Sequence, residues 1–392
     1  MVALSGRAPA AESWVGTWAT SMQRVEPANL PPPPGLGDTT LRQVVHVSIG
    51  GKTVRARFSN TFGDGPLTLT SVHLAVSAGG GAIKAGSDHV LTFGGADSVT
   101  IPPGALAVSD ETDFDLAPLS SVALTVHLKG APEAITGHPG SRTTSYLSAG
   151  DLVSAPDLPQ AAKTDHWYFI MGLDVVAGPP SAAVAVLGDS ITDGRGSTTN
   201  GNDRWTDQLA RILQAGQGTR NIGVLNEGIG GNNILHNGLG PSALSRYDRD
   251  VIDQPGVRWV IILEGVNDLG GAVKARAAGK PAATAGDIIA AYEQFVAKAH
   301  ARGIRAYGAT ILPFGGFASY FTPESEADRQ KVNDWIRRSG VFDGVIDLDL
   351  ATRDNEKPSF LSAAAGSTDH LHPGPAGYES MAEAVDLGLF TK

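Results

Sequence analysis

Hydrophobic and polar positions follow two different patterns along the chain, and the change falls near residue 180. Up to about Val176 they alternate in short segments. In VVHVSIGGKTVRARF (44–58), Val45, Val47 and Ile49 share one face, and Val54, Ala56 and Phe58 do the same after Gly50-Gly51, the pattern of a hairpin. The two-residue period recurs at 67–76, 89–93, 98–101, 121–128 and 142–148, each bounded by Gly, Pro, Asp or Ser. Such segments predict antiparallel strands with one face buried, and their number predicts an all-β sandwich over 12–176. His46, His73 and His127 fall on these strands and read as surface or hydrogen-bonded residues.

After the Pro/Gly/Ala connection VVAGPPSAA (175–183), solid apolar runs replace alternation at 183–188, 222–226, 258–265, 304–312 and 344–350. Helical periods lie between them at 204–214, 285–303 and 325–340, and a short helix is expected from Pro375 to Leu387. Strands buried on both faces and alternating with helices predict an α/β unit over 182–392 with a parallel sheet. The small-residue stretch 270–286 reads as a flexible surface excursion. Trp205 reads as core. The loop PFGGFASYFTPE (313–324) offers Phe314, Phe317, Tyr320 and Phe321 either as a pocket wall or lid, or as a patch covered by the β-domain.

Composition narrows the partners. The chain of 392 residues is 42% hydrophobic, enough for a packed core, and carries a formal charge of -10. With no Lys/Arg cluster longer than a pair, nucleic acid and anionic membrane surfaces are disfavoured, and a neutral or uncharged small molecule or carbohydrate is easier to accommodate. No apolar run approaches the roughly 18 residues of a membrane span, so no integral membrane association is expected. Cysteine is absent, which removes thiolate nucleophiles and Cys-based zinc sites. The opening MVALSGRAPAAESW reads either as the remnant of an export signal, implying a secreted or periplasmic protein, or as an ordinary unstructured start.

Parallel sheets place their chemistry at the carboxyl ends of strands, so polar residues just beyond those ends are the candidates. Gly188-Asp189-Ser190, Asn226 through Asn233, Gly265-Val266-Asn267-Asp268 and Asp369-His370-Leu371-His372-Pro373 meet that condition. A serine hydroxyl needs a base to become a nucleophile; His372 can be that base, and Asp369 can orient its imidazole. The backbone N–H groups of Ser190 and Gly231 and the side-chain amide of Asn267 can supply oxyanion donors. Read singly, each has a structural alternative: Ser190 as a helix cap, Asp189 and Asp193 as braces of the turn, Gly230-Gly231 as a tight turn, Asn267 as a loop cap. His370 reads as a bystander, and His236, five residues after the second block, reads either as a residue with no part in the site or as one that approaches it from its loop. No G-x-S-x-G elbow surrounds Ser190, and no G-x-G-x-x-G or Walker A motif follows the first solid run, which disfavours nucleotide binding.

Taken together, GDSIT (188–192), NEGIGGN (226–232), GVND (265–268) and DHLHP (369–373) resemble, in order and spacing, the four blocks of the SGNH hydrolases, also called GDSL-type esterases and lipases. The resemblance covers essentially all of 182–392. It implies a flavodoxin-like three-layer α/β/α domain with five parallel strands, no metal or other cofactor, and ester hydrolysis through an acyl-enzyme. By position it implies Ser190 as nucleophile, Asp369 and His372 as the rest of a triad, and Ser190, Gly231 and Asn267 as the oxyanion hole. Ile191 stands where the family's name has Leu. The preceding β-sandwich, expected to be jelly-roll-like, lies outside the minimal family domain. Two other functions remain open on these residues: carbohydrate binding by the β-domain, and acyl transfer at the same site.

Overall fold

Apolar runs that can be buried on both faces form the middle of the C-terminal half. The computed structural model describes residues 13–178 and 180–391; most of the opening stretch read as an export remnant lies outside them. Strands Ile222–Gly228, Ala182–Gly188, Val257–Leu263, Arg305–Ala309 and Gly344–Ile346 lie side by side in that order, all parallel. The chain's first parallel strand is therefore second in the sheet, and the reversal of direction between it and Val257–Leu263 opens a crevice at the carboxyl ends. Helices Trp205–Ala215 and Pro375–Glu383 pack on one another, as do Ala285–Ala301 and Pro323–Arg338, which makes the three-layer α/β/α arrangement. Trp205 is fully buried in that core. No helix among the described residues is long and apolar enough to cross a membrane.

The N-terminal half forms two large antiparallel sheets and a small third one of Trp167–Tyr168, Thr136–His138 and Gln23–Arg24. One large sheet has the strand order Trp14–Ala19, Ile170–Val176, Gly51–Ser59, Thr112–Leu116; the other runs Ala162–Thr164, Ser145–Ala149, Thr39–His46, Ser121–Leu128, Leu67–Gly79, Ala82–Ile83. Their inward side chains, such as Val54, Phe58 and Leu173 from the first and Leu41, Val45, Leu74 and Leu124 from the second, share one apolar core. Of the strand histidines, His73 is held by Asp88 and His127 by Thr70 and Asp38, while His46 meets Ser121.

Three local expectations are corrected. The segments around Gly50-Gly51 do not pair as a hairpin: Thr39–His46 pairs with Ser121–Leu128 and Ser145–Ala149, whereas Gly51–Ser59 pairs with Ile170–Val176 in the other sheet. The turn is a corner between sheets, and a Cβ at Gly51 would come within 2.2 Å of Val175 and 2.5 Å of the Val176 carbonyl. The stretch 270–286 is not a loose excursion over its first half, because helix Val266–Ala277 runs through it. The run 344–350 is a strand only to Ile346; Asp347 then caps the helix Leu348–Thr352.

The two halves meet along an edge. Thr20 bridges Asn226 in parallel fashion, the Ser48 hydroxyl accepts the Val224 N–H at 3.0 Å, and Ala183 and Leu225 join the N-terminal core. This contact carries residues 20–24 and 138–142 to the mouth of the crevice.

Candidate active site

Ser190, Gly231 and Asn267 each stand just beyond a strand end, whereas Asp369 and His372 come from a loop well after the last strand. Strand Ala182–Gly188 runs into Asp189, whose carboxylate caps the short helix Ser190–Asp193 by accepting the Ile191 N–H at 2.9 Å. This cap fixes the turn that presents Ser190. Burial pushes the Asp189 carboxyl up to about 7, and the Ile191 bond only partly opposes it. Gly231 has φ +69, a left-handed conformation that lets the turn after Gly228 face the serine without a side chain in the way. Asn267 sits in the first turn of helix Val266–Ala277, and Asp369 and His372 occupy the loop before Pro375.

The fold brings all five onto the wall of one cavity of about 420 Å³. The Ser190 hydroxyl lies 2.8 Å from His372 Nε2, and His372 Nδ1 lies 2.7 Å from Asp369 Oδ2. Burial alone would raise the Asp369 carboxyl, but hydrogen bonds from the His372 backbone, the His372 ring and the Leu371 N–H hold it down to about 2. An ionised carboxylate can only accept, so Nδ1 carries the ring proton and Nε2 is left bare toward the serine. Burial is the main force lowering the His372 pKa; Asp369 opposes it, and the Arg195 and Arg142 guanidiniums add to it.

The donor side is equally fixed. Asn267 Nδ2 donates to the Asn232 carbonyl at 2.8 Å, and its Oδ1 accepts the Tyr320 hydroxyl at 2.9 Å, so the amide cannot flip and its second N–H faces the cavity. The Tyr320 ring lies against Gly270, where a Cβ would come within 2.4 Å of the ring. Among the described residues, the Ser190 and Gly231 N–H groups have no protein acceptor. Three unspent donors thus belong to residues that line the cavity holding the serine.

Behind the serine turn lies a charge cluster sealed from water. Arg246 donates to the Gly188 carbonyl at 2.9 Å, the Glu227 carbonyl at 2.6 Å, Asn232 Oδ1 at 2.8 Å and Asp250 at 3.1 Å, and it meets Glu264 at 3.3 Å. Its sixth partner is Ser21 from the N-terminal half, at 2.7 Å. The Ser21 hydroxyl stands 2.8 Å from both Glu227 and Asp250 but has one proton to give. Burial, with Asp250 beside it, holds the Glu227 carboxyl well above its usual range, while the Ser21 hydroxyl and the Arg246 guanidinium oppose that rise.

Several wall residues escape motif reading because they come from elsewhere in the chain. The N-terminal half contributes Gln23, Glu26, Asn29, Arg142 and His166. His138 reaches across to Asp193 at 2.8 Å and to the Ser21 carbonyl at 2.8 Å, clamping the serine helix. Asp193 thus braces the site rather than capping a turn. Phe317 and Tyr320 line the cavity, whereas Phe314 is core. His236 and His370 are exposed and off the cavity wall. Among the described residues, no group of three or more His, Asp or Glu side chains is disposed to hold a metal ion.

Arg246→Met is expected to destabilise the protein by about 3–5 kcal/mol, the usual result of stripping a buried ion network of one charge. Chemical denaturation measures it; a loss under about 1 kcal/mol would show the cluster to be compensated elsewhere.

Residues 186–379 match the profile of the GDSL-like Lipase/Acylhydrolase family. Among solved structures, a catalytic mutant of an acetylxylan esterase from Geobacillus stearothermophilus is 24% identical over 52% of this chain and 91% of its own, with a TM-score of 0.41. A G-D-S-L family lipolytic protein from Desulfitobacterium hafniense is 21% identical over 52% of this chain and 97% of its own, at 0.39. The lipase/acylhydrolase of Enterococcus faecalis is 20% identical over 52% and 92%, also at 0.39. No curated protein matches the chain. Residues 186–379 belong to the GDSL-like lipase/acylhydrolase family, and the chain, with its β-rich N-terminal half, is a carboxylic ester hydrolase.

Proposed function

We propose that the protein is a serine esterase working through an acyl-enzyme, with Ser190 as nucleophile, His372 as general base and acid, and Asp369 as the group that orients the imidazole. The observation that carries this reading is the unbroken line from Asp369 through His372 to the Ser190 oxygen, with links of 2.7 and 2.8 Å. As Ser190 Oγ attacks the ester carbonyl, its proton moves to His372 Nε2, and the imidazolium that forms is stabilised by the carboxylate. The negative oxygen of the tetrahedral intermediate is met by the Ser190 and Gly231 N–H groups and the free N–H of Asn267. His372 then protonates the departing alcohol, and a water attacks the acyl-enzyme by the reverse order of transfers.

The cavity favours short acyl groups on polar alcohols. Leu239, Phe317 and Tyr320 give an apolar boundary near the oxyanion donors, which suits an acetyl or other small acyl chain. Gln23, Asn29 and His166 add hydrogen-bonding groups to the wall of the same cavity, which suits a hydroxylated alcohol such as a sugar.

Ser190→Ala is expected to lower kcat for a short-chain acetyl ester by about 10⁴-fold or more while leaving the thermal midpoint near that of the parent. Turnover retained in this variant would defeat the assignment. The acid limb of kcat/KM is expected below pH 6.5, because burial lowers the His372 pKa and the bare imidazole, the active form, persists to more acid solution. A limb at or above that pH would mean that another group controls the reaction.

A further inference from the structure

We propose that Arg142 and Arg195 form a recognition pair for a carboxylate on the alcohol half of the ester, a refinement that rests on the serine-esterase reading above. Both line the cavity that holds Ser190 and His372. Neither forms an ion pair among the described residues, and Arg142 Nε is buried without a hydrogen-bond partner. A guanidinium left with unspent donors on a cavity wall calls for an acceptor from outside.

The acids nearby are already committed. Asp369 is bound to His372 and Asp193 Oδ1 to His138, Asp193 Oδ2 being buried without a partner, while the carboxylate oxygens of Glu26 accept Gln23 Nε2 at 2.6 Å and Asn29 Nδ2 at 2.9 Å. Although Glu26, Asp193 and Asp369 share the cavity wall, none of them forms an ion pair with Arg142 or Arg195 among the described residues.

Their backbones are pinned, so the pair is built rather than casual. Arg142 has φ +49, a conformation that costs a non-glycine residue energy, and its carbonyl accepts the Asn200 N–H at 2.9 Å. Asn200 in turn is tied to Thr144 through both atoms of its amide, at 2.8 and 2.9 Å. The Arg195 N–H donates to the Ser190 carbonyl at 2.9 Å, and Gly196 lies against His372 and Pro373. One cation thus comes from each half of the chain, and the contact between the halves brings them together.

Their position selects the alcohol rather than the acyl group. His372 must protonate the departing alkoxide, so the leaving group lies on the imidazole's side of the serine. Arg195 is followed by Gly196, where a Cβ would lie 3.7 Å from the His372 side chain, and Arg142 lines the same cavity as that imidazole, whose charged form both guanidiniums disfavour. The donors for the carbonyl oxygen, Gly231 and Asn267, mark the other side.

The test uses 4-acetoxybenzoate and its neutral methyl ester, methyl 4-acetoxybenzoate. The neutral compound has the better leaving group, so intrinsic reactivity opposes the expected result. Binding of each to the Ser190→Ala protein is measured by calorimetry, and kcat/KM is measured with the parent enzyme. The anionic ester should bind about tenfold more tightly, and high salt should shrink the difference. Arg195→Gln, and Arg142→Asn, in which asparagine tolerates the left-handed backbone, should each erase most of the preference; Arg195→Glu should invert it. Equal binding of the two esters, no binding of the anionic one, or a preference that survives both neutral substitutions would overturn the inference. The parent reading fails separately: it falls if Ser190→Ala still hydrolyses the methyl ester, whatever the binding data show.

Discussion

A single guanidinium sealed from water sets the geometry on which everything else depends. Arg246 holds the carbonyl of Gly188, where the first parallel strand ends, together with the Glu227 carbonyl near the end of the neighbouring strand and the side chain of Asn232 in the glycine turn. A buried cation is tolerable only with every donor satisfied, and satisfying this one requires the serine turn and the donor turn to converge. Ser21 completes the set, so the N-terminal half is part of the framework behind the serine as well as of the cavity wall. The edge contact through Thr20 and Asn226 delivers that residue.

With the turns held, the proton economy follows from local hydrogen bonding. Three bonds keep Asp369 ionised, the carboxylate fixes the proton on His372 Nδ1, and the serine faces a bare nitrogen. Tyr320 does for Asn267 what Asp369 does for His372: it settles which end of a symmetric-looking group faces the substrate. The N-terminal half contributes to the cavity wall its amides, the His166 imidazole and the Arg142 guanidinium, and the Arg195 guanidinium joins them from the C-terminal half.

Much of this was legible in the sequence, because some signals are local. Solid apolar runs identify strands buried on both faces, and polar residues just after them must lie at the sheet's chemical edge; Ser190, Gly231 and Asn267 are found that way. Asp369 and His372 are three residues apart and reach one another within a single loop. What was hidden is non-local. Alternation in 44–58 marks two half-buried strands but not their partners, so a corner between sheets reads as a hairpin. Small residues in 270–286 suggest a loop, yet Gly270 is small because the Tyr320 ring occupies its face. Arg142, Arg195 and Arg246 are isolated charges with no periodicity around them, and only the packing of distant segments gives them a role. Asp347 ends the last strand by capping a helix, a competition that hydrophobicity alone does not reveal.

The central claim is that Ser190, activated by His372, is the group that takes the acyl chain. Reaction with a small alkyl fluorophosphonate, followed by mass spectrometry of the digested protein, addresses it most directly. The account predicts one phosphonyl adduct, on the peptide containing Ser190, and almost none in the His372→Gln protein. No adduct on the parent enzyme, or an adduct on another side chain with Ser190 unmodified, would contradict it.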